Sequence, residues 1–103
     1  MRMSNPFKGK TATKVLDLSD KMGLKTAVRY HDTNVVEFTP DTITLNSGGW
    51  LTATTKRRMN ETASAYGLDF WVSQEDFKWW VCVGRGPNRY HTPFSDGMTF
   101  KRP

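Results

Sequence analysis

The sequence predicts an α+β fold, a small antiparallel sheet of about five strands with two helices packed on one face. Three observations carry this expectation. Short runs in the middle of the chain alternate apolar and polar residues, two segments repeat apolar residues at three- and four-residue spacing, and a Gly then Leu pair closes each of those segments. The expected order is α-β-β-β-(β)-α-β-β, ending in an irregular basic C-terminal arm.

The first helix is expected over residues 12–22, where Ala12, Val15, Leu16, Ser19 and Met22 share one face. Thr11 is its candidate cap, and Gly23 with Leu24 supplies a left-handed stop and its apolar contact. Residues 26–31 and 35–39 then alternate, with Val28 and Tyr30 facing one way and Val36 and Phe38 likewise, so a hairpin turning at Asp32-Thr33-Asn34 is expected. Pro40-Asp41 makes the next turn, and residues 42–46 alternate strictly with Ile43 and Leu45 inward. Ser47-Gly48-Gly49 breaks that strand, and residues 50–54 are a candidate short strand. A second helix is expected from Thr54 or Thr55 to Gly67, with Met59, Thr62, Ala63 and Tyr66 as its inner stripe and Gly67-Leu68 as its stop. Residues 70–74 and 78–83 read as a second hairpin around Glu75 and Asp76. From Gly84 onward Gly, Pro, Arg and Asn dominate, so residues 84–103 read as an arm with at most one edge strand over residues 98–101. One domain is expected, with a compact core at 11–83 and arm-like or flexible ends at 1–10 and 84–103.

The 103 residues carry a net charge of +5 and a pI near 9.6, and the positions of that charge say more than its size. Residues 1–14 hold Arg2, Lys8, Lys10 and Lys14 without an acid, Lys56, Arg57 and Arg58 form one internal cluster, and Arg85, Arg89, Lys101 and Arg102 lie in the tail. The stretches between are acidic. Such segregation suits an anionic partner, although basic ends also serve plain solubility. The lone thiol, Cys82, excludes an internal disulfide and a cysteine-based zinc site. No apolar run reaches membrane-spanning length, so a soluble protein of the cytoplasm is expected. His31 and His91 are far apart in sequence, no serine sits in a nucleophile elbow, and metal-ligand spacing is absent. An enzyme, a metal and a cofactor are therefore not expected.

Two surfaces are candidates for contact. In the first, three cations open a helix whose dipole is already positive there, an arrangement that an anion would stabilise. Thr54, Thr55, Lys56, Arg57 and Arg58 would bind phosphate, with Gly48 and Gly49 bringing further backbone N–H groups close; ordinary capping and a solvated face are the plainer reading. In the second, strand parity puts Trp71, Trp80 and Lys78 on the outer face of the last hairpin, where aromatic rings beside a cation stack nucleobases. Burial of these tryptophans under Tyr90, Phe94 and Phe100 of the arm, or under a second copy of the chain, is the competing expectation.

The runs Tyr30-His31-x-Thr33-x-Val35-Val36, Ile43-Thr44-Leu45-Asn46-Ser47-Gly48-Gly49-Trp50-x-Thr52-x-Thr54-Thr55-Lys56-x-Arg58-Met59-Asn60, Phe70-x-Val72 and Trp79-Trp80-Val81 resemble a group of short proteins encoded by tailed bacteriophages. The resemblance covers the middle half of the chain, leaves out the N-terminal segment and the tail, and implies a phage origin without implying catalytic residues. The sequence thus points to a phage accessory protein that works by binding, with nucleic acid as the favoured partner in the host bacterial cytoplasm. Docking on a bacterial protein as a host-takeover or anti-defence factor, through Trp71, Trp80 and the arm, is the second reading, and a minor virion component is the third.

Overall fold

A computed structural model describes residues 5–103. Among them are eight strands in two antiparallel sheets, one α-helix and one turn of 3-10 helix over Gly86–Asn88. The protein is therefore mostly β, and the expected pair of helices on one five-stranded sheet is corrected.

Four strands follow one another: β1 (Thr13–Asp17), β2 (Thr26–Tyr30), β3 (Thr33–Phe38) and β4 (Thr42–Leu45). The expected first helix is strand β1 and a tight hairpin end. Thr13, Val15 and Thr26 favour extended backbone, and pairing β1 to β2 satisfies a sheet edge that a helix would leave open. Gly23 is no helix stop. Its N–H donates to Asp20 O and its carbonyl accepts from Asp20 N, which closes the hairpin around Lys21 and Met22. The β2–β3 hairpin forms as expected, but it turns at His31-Asp32, with His31 at φ 54° and Tyr30 opposite Thr33. A bulge at Val35 lets both Val35 and Val36 point inward and fill the core.

The expected short strand over residues 50–54 is absent. Trp50 N–H donates to Ser47 O, which curls the loop, and Thr52 already caps the helix. Helix α1 (Ala53–Tyr66) ends at Gly67, whose φ of 64° is the left-handed cap read from the sequence, and Leu68 is buried behind it. Met59, Thr62 and Ala63 lie on its inner face as expected. Next come β5 (Phe70–Glu75) and β6 (Lys78–Val83), joined by Asp76 and Phe77 at φ 52° and 65°, which matches a two-residue hairpin turn of the primed type.

The tail is not an irregular arm. β7 (Tyr90–Pro93) adds to β6, and β8 (Met98–Lys101) adds to β4 at a distance of more than fifty residues along the chain. Both sheets are thereby extended, giving the orders β1-β2-β3-β4-β8 and β5-β6-β7. The N-terminal segment is also tied down within the described residues, since Phe7 is fully buried; Arg2 lies outside them.

One apolar cluster joins the inner faces of both sheets and the helix, with Val28, Val36, Ile43 and Leu45 from one sheet and Phe70, Val72, Val81 and Val83 from the other. The helix meets the smaller sheet at its edge strand. Asn60 Nδ2 donates to Val72 O at 2.9 Å, and Val72 N–H donates to Asn60 Oδ1 at 2.7 Å, so a side-chain amide stands in for a missing neighbour strand.

Candidate functional site

The Lys56, Arg57 and Arg58 cluster is divided by the helix that carries it. Arg58 is buried: its Nε donates to Thr13 Oγ1 at 2.9 Å, its Nη1 pairs with Glu61 at 2.8 Å, and its guanidinium lies over the Tyr30 ring. It is a structural cation, and the expectation that it faces an outside anion is corrected. Burial pushes the Glu61 carboxyl up, but hydrogen bonds and charge from Arg58 and Lys10 outweigh that and hold it below its ordinary value. Lys56 leans over the Trp79 ring and donates to Gln74 Oε1 at 3.4 Å. Arg57 alone of the three is exposed and has no hydrogen-bonding or ionic partner among the described residues.

The glycine loop also differs from a phosphate cradle. Gly48 N–H donates to Asn46 Oδ1, Gly49 N–H donates to Ser47 Oγ, and Thr55 N–H donates to the Thr52 hydroxyl that caps the helix. These backbone donors are used inside the chain. Thr55 is fully buried and Thr54 half-buried, so neither hydroxyl is presented on an open surface. Gly48 is required by packing as well as by its φ of 64°, because a Cβ there would sit 2.1 Å from Thr33 Oγ1.

What the fold does bring together is Arg57 and Trp71. A groove between the outer side of α1 and the edge of β5 is lined by Ala53, Lys56, Arg57, Asn60, Glu61, Ser64 and Trp71, with Trp71 57% exposed. From there the outer face of the smaller sheet continues through Ser73, Trp80, Cys82, His91 and Pro93, with Glu75 and Lys78 opposite each other at its far corner. Among the described residues no strand or helix is packed on it. The aromatic residues expected to fold over the tryptophans turn the other way: Phe94 packs on the buried Trp79 at 5.3 Å, and Phe100 meets Phe70 at 5.9 Å in the core. Tyr90 stays at the surface.

The tail cations split in the same manner as the helix cluster. Arg85 pairs with Asp69 at 2.6 Å, and Arg102 donates to Thr39 O while lying over Phe38. Lys101 and Arg89 are exposed. Arg85, Lys101, Arg102 and Tyr90 nevertheless line one cavity of about 480 Å³ between the ends of the two sheets, so a second group of cations adjoins an exposed ring. Sequence reasoning did not foresee this grouping, because it depends on β7 and β8 joining different sheets.

A third cavity, of about 400 Å³, lies between the His31-Asp32 turn and the Trp50 loop, and among the described residues no Lys or Arg lines it. Among the described residues no cluster of His, Cys, Asp and Glu is arranged to hold a metal ion, and no helix is long and apolar enough to cross a membrane.

Two antiparallel sheets and one helix clamped to the edge of the lesser sheet define a small, mostly β protein. A family model described as Kyanoviridae Gp96 protein matches residues 1–101, and the chain belongs to that family. It is a phage protein, and the match takes in the N-terminal segment and the tail that the sequence resemblance left out. No curated protein and no solved structure matches it.

Proposed function

We propose that this phage protein is a non-enzymatic binding protein of the host bacterial cytoplasm. In this reading it holds single-stranded nucleic acid across the outer face of β5-β6-β7. Trp71 and Trp80 stack bases, while Arg57, Lys56 and Lys78 meet phosphates. The observation that carries the reading is the shared groove of Arg57 and Trp71, an unpaired guanidinium beside an exposed indole. Stacking on an aromatic platform is worth ~1–3 kcal/mol per base and tolerates any sequence. Glu61 and Asp69 are already paired to Arg58, Lys10 and Arg85, whereas Glu75 stands opposite Lys78 on the same face and opposes phosphate at that corner. The cationic cavity at Arg85, Lys101, Arg102 and Tyr90 offers a second contact for a longer strand.

Anisotropy of a labelled oligothymidylate at low salt tests this reading. Weak binding that falls steeply with salt, exceeds binding to a duplex of equal length, and drops in Arg57→Gln and Trp71→Ala is the expected outcome. Binding that is unchanged in both folded variants contradicts it.

Docking on a host protein is the alternative for the same face. Phe77 favours it, being 96% exposed and held at a positive φ at the tip of the β5–β6 hairpin, a conformation that a bulky residue adopts at a cost. A protein of that kind ignores oligonucleotide at physiological salt and captures a bacterial protein through Phe77 and Trp71.

A further inference from the structure

We propose that the cavity between the His31-Asp32 turn and the Trp50 loop is a binding site for a neutral sugar ring. It is separate from the tryptophan face and does not rest on the nucleic-acid reading. Its volume of about 400 Å³ falls within the range of small-ligand sites. The Trp50 side chain, 68% exposed, stands at the mouth, with the Tyr30 and His31 rings as further aromatic lining. Thr33 contributes a hydroxyl, the Thr52 hydroxyl is already engaged by Thr55 N–H and Thr55 Oγ1, and Asp32 contributes a carboxylate that makes no hydrogen bond or ion pair among the described residues.

This set of groups selects by charge and by shape. An anion finds no lysine or arginine in the lining, no spare amide at Gly48, Gly49 or Thr55, and a free carboxylate that repels it. A ligand rich in hydroxyl donors satisfies Asp32 by charge-assisted hydrogen bonds and pairs with the Thr33 hydroxyl, which both gives and accepts. The exposed indole then needs a flat apolar face. A pyranose combines these properties: axial C–H bonds on one face, hydroxyls around the rim and no charge. A purine also stacks, but it makes little use of a wall of hydroxyls.

The walls are held in place before any ligand arrives. Asp96 accepts from both Ser47 N–H and Ser47 Oγ at 2.7 Å, and Gly48 packs directly on Thr33. His31 N–H is tied to Ala12 O. Little ordering remains to oppose binding.

The test is a titration of the full 15N-labelled chain with glucose, galactose, mannose, N-acetylglucosamine, glucuronate and adenosine, read at the tryptophan indole N–H signals. At least one neutral sugar should shift Trp50 saturably with a millimolar Kd, and glucuronate should bind more weakly than glucose. Asp32→Asn should weaken the neutral sugar about tenfold, while Trp71→Ala should leave it unchanged. Trp50→Ala, read at the Thr33 amide, should abolish binding, and Trp50→Phe serves if the alanine variant loses its folded spectrum. The proposal is overturned if no sugar moves Trp50, if adenosine saturates the site and sugars do not, or if Asp32→Asn binds as tightly as the parent.

Discussion

The two sheets turn very different faces to solvent. On the larger sheet the outward side chains satisfy one another: Arg29 Nε donates to Asn34, Asn34 donates to Glu37, Glu37 pairs with Lys25, and the Thr44 and Thr99 hydroxyls meet at 2.8 Å. On the smaller sheet the outward residues are Trp71, Ser73 and Glu75 of β5, Lys78, Trp80 and Cys82 of β6, and His91 and Pro93 of β7, with Arg57 beside them, and Trp71 stays largely exposed. A self-paired polar face contributes to the stability of its own sheet and leaves little for a partner. An uncovered aromatic face stabilises the fold less than it would when covered, and its apolar area is available for contact. The proposed function rests on this contrast, with the larger sheet as structure and the smaller one as the proposed binding face.

The largest expected effect falls on the joint that carries the smaller sheet. Asn60→Ala leaves the Val72 N–H and C=O without partners in a buried setting and should cost ~2–4 kcal/mol, read as a lower urea midpoint. A loss under ~1 kcal/mol would mean that the strand edge is satisfied in another way. Next comes the binding face itself. Trp71→Ala should lower oligothymidylate affinity about tenfold while changing stability by less than ~1 kcal/mol, because most of the indole lies in solvent. Asn34→Ala on the opposite face should do the reverse, costing ~1 kcal/mol of stability with no change in oligonucleotide binding. If both variants changed binding alike, the division between the faces would fail.

The smallest effect concerns pH. Hydrogen bonds and charge from Arg58 and Lys10 hold the Glu61 carboxyl below its ordinary range in the folded chain, so its contribution is present above the unfolded value and is lost as pH falls through the folded one. Urea midpoints of the parent chain should therefore decline below that range more than those of Glu61→Gln, whose curve should be flatter there.

Much of the middle of this fold is legible in the sequence, and the reasons are local. Strict alternation around Ile43 and Leu45 marked a strand, and the helix from Ala53 ends at the glycine that the sequence indicated. Gly67-Leu68 and Gly23-Leu24 show where local signals stop. The same pair of residues is a left-handed cap with a buried leucine in one place and part of a hairpin end with a largely exposed leucine in the other. Residues 12–22 fit helical spacing, but pairing with β2 decides the outcome, and pairing is set by distant residues. The tail departs from the expected arm for a related reason, since β8 is specified by β4. For the candidate site, strand parity correctly put Trp71, Trp80 and Lys78 on one face. It could not reveal that Arg58 turns inward to Thr13 and Tyr30, or that Trp50 stands opposite His31, because both depend on contacts across the fold.

The protein's four tryptophans provide the most direct test of the division between the sheets. Their indole N–H signals, assigned by single substitution, can be followed while oligothymidylate is added at low salt. The account predicts that Trp71 and Trp80 shift together and saturate, while buried Trp79 and remote Trp50 stay in place. Shifts confined to Trp50, or none at all, would contradict it.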